Sequence, residues 1–154
     1  MSLDDADPAA CAFQSLGVMN LSTTDFVDGA LPSILAPIGS FLCKVYAPKN
    51  SNNTAISKLR WELYRLKNFE GEKLPPTLAT FYPHMMRVNF DSKRNKSYLQ
   101  CHPNLLPLNR SGWKTHDEAY SPIKSLIGPA PKEVMKLVKG TCGKGCKEGK
   151  CLCV

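Results

Sequence analysis

The sequence predicts a mainly α-helical protein, in which a small bundle of three to four short helices leads into a long irregular connection and a cysteine-rich tail. Apolar residues recur at helical spacing between residues 31 and 92. Twelve prolines in 154 residues are typical of short elements joined by long connections. Four of the seven cysteines lie between residues 142 and 153. The predicted parts are an acidic flexible tail (1–30), a helical region (31–92), an irregular Pro-rich connection (93–130) and a short helix with the cysteine tail (131–154).

Charge is distributed unevenly along the chain. Residues 1–43 contain five aspartates and no Lys or Arg, whereas all 20 basic residues follow, and the net charge is +7. The acidic first part has scattered apolar residues without a sustained period, which predicts a flexible tail. Basic surfaces attract phosphate backbones through counterion release, but a solvated lysine-rich surface has the same composition. Charge alone leaves both interpretations open.

Two helices are predicted in the first half of the helical region. Residues 37–46 carry apolar side chains at helical spacing, and Pro37 suits a first turn because its missing N–H needs no partner there. A second helix is expected after Thr54, whose hydroxyl can accept a backbone N–H. Its narrow apolar stripe lies at i, i+3, i+7 and i+10 and consists of Ile56, Leu59, Leu63 and Leu66.

A third helix is predicted to begin after Thr77 or Thr80 and to carry apolar residues up to residue 90. Pro83 lies in the first turn if Thr80 is the N-cap, and it kinks the helix if Thr77 is the N-cap. Residues 91–96 are predicted to form a charged turn. Phe81, Tyr82 and Arg87 have the chemistry to stack on bases, but their helical spacing favours packing in the core.

The second half of the chain offers fewer periodic patterns. Residues 97–130 are predicted to be irregular, with Trp113 as one buried anchor, and residues 132–139 to form a short helix that Gly140 ends. The predicted core is small and consists of Leu59, Trp61, Leu63, Leu66, Phe81 and Met85.

The cysteine tail has the composition of a zinc site. Its cysteines follow the pattern C-x3-C-x4-C-x-C, with glycines and lysines between them, and they are Cys142, Cys146, Cys151 and Cys153. Zinc is commonly held by four thiolates in a tetrahedron about 2.3 Å away, and glycines let the backbone turn tightly around the ion. An unstructured, oxidisable tail has the same composition, so both interpretations stay open.

Residues 141–153 resemble the first half of a tesmin-type CXC domain, a zinc-binding module whose characterised members are nuclear and bind DNA. The resemblance implies that the four tail cysteines are zinc ligands and that nearby lysines contact phosphate. Those lysines are Lys139, Lys144, Lys147 and Lys150. The family's leading cysteine falls at Gly140, and the second half of the module has no counterpart up to Val154. Four ligands would enclose a single zinc ion poorly.

The order of several upstream motifs is similar to that in a group of uncharacterised, mobile-element-associated animal proteins. These motifs are Phe41-Leu-Cys-Lys-Val-Tyr46, Leu74-Pro-Pro-Thr77, His84-Met-Met-Arg87, Gly112-Trp113 and the segment 130–138. The similarity implies no catalytic activity. Cys101 and His102 are adjacent, but no base or orienting carboxylate is predicted beside them.

The resulting hypothesis is a non-enzymatic zinc-binding protein that binds nucleic acid, DNA rather than RNA. It is expected to be intracellular, because the sequence shows no secretory signal or membrane span, and the CXC resemblance implies a nuclear location. An alternative is a protein-interaction adaptor that binds a protein partner through the helical region and carries a vestigial tail. A third is an inactive, truncated mobile-element product.

Overall fold

The computed structural model describes residues 7–48, 51–66, 74–117 and 119–128. Within them the architecture is mainly α, as predicted, with a small antiparallel sheet. The elements are α1 (Pro8–Gln14), α2 (Ala36–Tyr46), α3 (Ile56–Arg65), α4 (Leu78–Lys96), β1 (Trp113–His116) and β2 (Ala119–Pro122). Short 3-10 helices lie at Thr23–Asp25, Ser33–Leu35 and Leu108–Arg110. None of the described helices combines the length and apolar character needed to span a bilayer.

The segment from Asp7 to residue 30 folds onto the core, so the prediction of a flexible tail is wrong for these residues. The Asp7 carboxylate accepts a hydrogen bond from the Ala9 N–H at 3.0 Å, and Pro8 occupies the first turn of α1. These are ordinary helix-start features. The helix is short and buries small side chains, which is why no apolar period is visible. The buried residues of this segment are Ala9, Ala12, Leu16, Met19 and Leu21.

Two polar side chains of α4 hold this first segment in place. The Asn89 amide oxygen accepts from the Gly17 N–H at 2.7 Å, and its nitrogen donates to the Met19 carbonyl at 2.9 Å. The Lys96 ammonium donates to two carbonyls at the end of α1, at 2.9 and 2.6 Å. A cation there also interacts favourably with the negative end of the α1 dipole.

Tyr82 ties the following loop to α4. Its hydroxyl donates to the Ser22 carbonyl at 2.6 Å, and its ring stacks on Phe26 with centroids 5.6 Å apart. Burial, with the Asp25 carboxylate nearby, raises the pKa of Tyr82 to about 12. Phe81 is also buried. The prediction that these two aromatic residues pack in the core is therefore confirmed.

The two middle helices were predicted with nearly correct bounds. The prediction of α2 over 37–46 is confirmed, with Pro37 in the first turn. α3 begins at Ile56, and the prediction of a Thr54 cap is wrong because Ala55 is the N-cap residue and no side chain caps the helix. The preceding loop is held instead by Glu62, which accepts from Ser51 and Asn53.

The third predicted helix, α4, runs through residues 91–96, where a charged turn was predicted. Basic residues fill its last turn, where cations stabilise the exposed carbonyls. Pro83 lies inside the helix and supplies no N–H to the Ala79 carbonyl four residues earlier. That carbonyl accepts instead from the Leu126 N–H at 3.0 Å. The proline thereby provides an attachment point for the chain that follows β2.

The connection predicted to be irregular contains the antiparallel pair β1–β2, in which Trp113 faces Pro122. Arg87 holds the open end of this pair by donating to the carbonyls of Gly112 at 3.0 Å and Ile123 at 2.8 Å. Burial lowers the pKa of its guanidinium. Trp113 is only half-buried, but its ring lies 5.9 Å from the Arg87 guanidinium.

The predicted core is correct at four of its six positions. Leu59, Leu63, Phe81 and Met85 are buried, whereas Trp61 is 62% exposed and Leu66 52% exposed. At about 100° per residue, Trp61 is about 200° around α3 from Leu59, on the opposite side of the helix. The core instead includes apolar side chains from the segment 7–30, which the sequence-based prediction left out of it. The domain division also changes, since residues 7–30 share the core and α4 crosses the boundary at 92–93.

Candidate nucleic-acid interface

The residues predicted from the sequence to bind zinc and phosphate lie outside the described residues, as does the predicted helix 132–139. They are Cys142, Cys146, Cys151, Cys153, Lys139, Lys144, Lys147 and Lys150. Over the described ranges, no three His, Cys, Asp or Glu side chains are grouped to hold a metal ion. The zinc hypothesis therefore depends on the sequence of the tail.

Three cysteines, Cys11, Cys43 and Cys101, lie inside the described ranges. Cys43 is buried in the core, and burial raises the pKa of its thiol. Cys11 and Cys101 are exposed, and Cys101 precedes the exposed His102 in the chain after α4. These positions give matched cysteine controls for experiments on the tail.

The described part of the chain presents one surface with the chemistry of a binding site, on the outward side of α3. We call it the α3 outer face and define it by Lys58, Trp61, Tyr64 and Arg65. Both aromatic rings are largely in solvent, with Trp61 62% and Tyr64 68% exposed. Their ring centroids are 6.1 Å apart and their planes meet at 24°, so they stack on each other. The opposite side of α3 is buried through Ile56, Leu59 and Leu63.

The two charged residues that define the α3 outer face, Lys58 and Arg65, are both cations, and the carboxylate of Glu62 lies beside them. The only acidic residue of α3 is Glu62, and its carboxylate accepts from the Ser51 hydroxyl at 2.9 Å and from the Asn53 amide. Arg60 is turned toward the Pro75 carbonyl, to which it donates. Lys58 and Arg65 are exposed beside Trp61. The Glu62 carboxylate is therefore bonded to the loop before α3, whereas the side chains of Lys58 and Arg65 are exposed to solvent.

Three acidic side chains elsewhere in the described part are also engaged, whereas Asp28 and Asp117 are exposed. Asp7 caps α1, and Asp25 accepts from the Ser22 N–H at 2.7 Å within a capping box. Asp91 forms an ion pair with Arg94 at 3.2 Å. Exposed lysines on other elements include Lys44, Lys114 and Lys124. Exposed lysines and arginines thus outnumber exposed acidic side chains in the described part of the chain.

No protein-family model matches this sequence. No curated protein and no solved structure shows significant similarity to it either. Functional assignment therefore starts from the residues of this chain.

The α3 outer face does not appear among the sites predicted from the sequence, because the prediction places Trp61 in the core. The helical position of Trp61 relative to Leu59 and Leu63 is the signal that could have revealed it. Lys58, Trp61 and Arg65 lie at i, i+3 and i+7, which places them on one side of the helix. A helical wheel drawn from the sequence puts that side opposite the apolar stripe.

Proposed function

We propose that this protein is a non-enzymatic, zinc-binding protein that binds nucleic acid, DNA rather than RNA, and acts in the nucleus. The observation that carries the nucleic-acid part is the basic surface of the described chain, on which exposed lysines and arginines outnumber exposed aspartates by eight to four. Such a surface attracts a polyanion. The preference for DNA and the nuclear location rest on the resemblance of residues 141–153 to a CXC module.

The zinc part of the proposal rests on the donor set of the tail. Cys142, Cys146, Cys151 and Cys153 supply four soft thiolate ligands, which is the number that a closed tetrahedral site uses. Bound zinc would supply a structural cross-link there and no reaction. The intervening lysines would then be displayed on a fixed loop, instead of being spread along a flexible chain.

Binding of this kind is mainly electrostatic. Each phosphate neutralised by a lysine or arginine releases condensed counterions, so affinity falls steeply as salt rises. Contacts to phosphate carry no sequence information, and the proposed contact residues are all lysines and arginines. We therefore expect mostly sequence-independent binding.

A salt titration tests this proposal. We expect the slope of log affinity against log salt on duplex DNA to become shallower by about 2 to 3 when Lys144, Lys147 and Lys150 are replaced with glutamine, since each phosphate contact contributes about 0.9. Fluorescence anisotropy with a labelled duplex measures it. The matched control replaces the exposed Lys44, Lys114 and Lys124, which removes the same charge from other elements.

The control variant is expected to lower the slope by less than one. Equal losses in both variants would mean general attraction to a basic protein, without a contribution specific to the tail. Binding of the unmodified chain that does not respond to salt, or no binding at low salt, would contradict the proposal. The adaptor interpretation would then gain support.

A further inference from the structure

We infer that the α3 outer face is a stacking site for the bases of single-stranded nucleic acid. This inference rests on the proposed function and specifies the form of nucleic acid that the described scaffold takes. It depends on three features of the face, which are its exposed aromatic pair, its groove and its charge.

The aromatic pair has no role in the core. Ile56, Leu59 and Leu63 already bury α3 against its neighbours, while Trp61 and Tyr64 keep well over half of their surface in solvent. Large aromatic side chains gain free energy when they are buried, so an exposed pair on a rigid helix is suited to a partner that covers it. Every nucleobase offers a flat face that can stack on such rings.

An open groove lies beside Trp61. Its volume is about 430 Å³, and it is lined by Asn53, Lys58, Trp61, Glu62, Arg65 and Leu66. This volume lies within the range of about 300–1,000 Å³ that is usual for small-molecule sites. A stacked nucleotide can therefore be accommodated between the indole ring and the end of α3.

The charge of the face matches a phosphate backbone. Lys58 and Arg65 lie on either side of Trp61 and are about 10 Å apart along the helix axis, from a rise of about 1.5 Å per residue. Each can reach a phosphate flanking a base that is stacked on the indole. Glu62 lines the groove, but Ser51 and Asn53 hold its carboxylate. The face therefore combines a positive track with aromatic stacking, as single-strand-binding surfaces do.

A single strand is favoured over a duplex on steric grounds. Bases within a duplex are stacked on each other, so their faces are closed to Trp61 and Tyr64. Unpaired bases can be splayed out onto aromatic side chains. A duplex can still contact Lys58 and Arg65 through its phosphates, but it gains nothing from the rings.

The test compares a fluorescein-labelled thymidine oligomer with a labelled duplex, using the full chain and its double variant Trp61→Ala/Tyr64→Ala. We expect single-strand affinity to fall about 10- to 100-fold and duplex affinity to stay within about twofold. The variant Trp61→Phe/Tyr64→Phe keeps two aromatic rings and is expected to recover most of the single-strand affinity. The matched control is Tyr98→Ala/Leu99→Ala, which removes two other exposed apolar side chains.

Melting temperature separates a binding defect from a folding defect. Because both rings are exposed, the double variant is expected to melt within about 2 °C of the unmodified chain. Unchanged single-strand affinity in this variant, or equal losses on both forms of DNA, would overturn the inference. If duplex binding and its salt slope persist in that case, the proposed function stands. If the unmodified chain binds neither form of DNA, the inference and the proposed function are both contradicted. An acidic protein partner then becomes the better candidate for the α3 outer face.

Discussion

Replacing Asn89 with alanine is expected to lower the free energy of unfolding by about 2 to 5 kcal/mol, because two buried backbone groups lose their only side-chain partner. Asn89 is 5% exposed and bonds the Gly17 N–H at 2.7 Å and the Met19 carbonyl at 2.9 Å. For a chain of this size the loss corresponds to a fall of about 5 to 15 °C in melting temperature.

Asn95→Ala is the matched control, because Asn95 lies on the same helix and is exposed. Thermal unfolding of the two variants, followed by circular dichroism, gives the comparison. Asn95→Ala should change the melting temperature by no more than about 2 °C. If Asn89→Ala melted within that same interval, the first segment would not be held to α4 in the way described.

Replacing Gly112 with alanine is expected to cost about 3 kcal/mol or more, through backbone strain and a steric clash together. Gly112 has a φ of +84°, a region that residues with a side chain rarely adopt. A Cβ there would lie 2.5 Å from the Pro83 carbonyl oxygen, on backbone that α4 holds in place. The β1–β2 pair would have to move away from the helix, which would also disturb the bonds from Arg87 to Gly112 and Ile123.

Two other glycines distinguish the cost of backbone strain from the cost of the steric clash. Gly29 has a φ of +73° but open space around it, so Gly29→Ala is expected to cost about 1 to 2 kcal/mol from strain alone. Gly128 has neither feature, so its replacement is expected to have little effect. Chemical unfolding of the three alanine variants would give the order Gly112, Gly29, Gly128. A Gly112 variant as stable as the Gly29 variant would show that α4 and the strand pair do not approach so closely.

Local periodicity predicted the parts of the fold that depend on one helix at a time. The stripe at Ile56, Leu59 and Leu63 identified α3 because a helix with one buried side repeats its apolar residues every three to four positions. It could not identify the role of residues 7–30, which are held by bonds such as Gly17 to Asn89, 72 positions apart in the chain. The local sequence around Gly17 does not indicate a hydrogen-bond partner so far away in the chain.

Pro83 shows why the attachment of the chain after β2 to α4 was also missed. The sequence indicates that a proline removes one helical hydrogen bond, and a kink or a late start is the local consequence. In the structure the Ala79 carbonyl, which Pro83 leaves without its helical donor, accepts a hydrogen bond from the Leu126 N–H instead. Tertiary contacts of this kind override a local rule. The α3 outer face was predictable in part, since helical geometry alone separates Trp61 from the apolar stripe.

The zinc content of the purified, reduced chain tests the central claim most directly, measured beside Cys146→Ser and the control Cys101→Ser. The account predicts about one or more tightly held zinc ions per chain. Zinc should be lost and duplex affinity weakened in Cys146→Ser, whereas both should be kept in Cys101→Ser, because Cys101 is an exposed cysteine outside the tail. A chain without zinc, or a Cys146→Ser variant that keeps both its zinc and its affinity, would contradict the account.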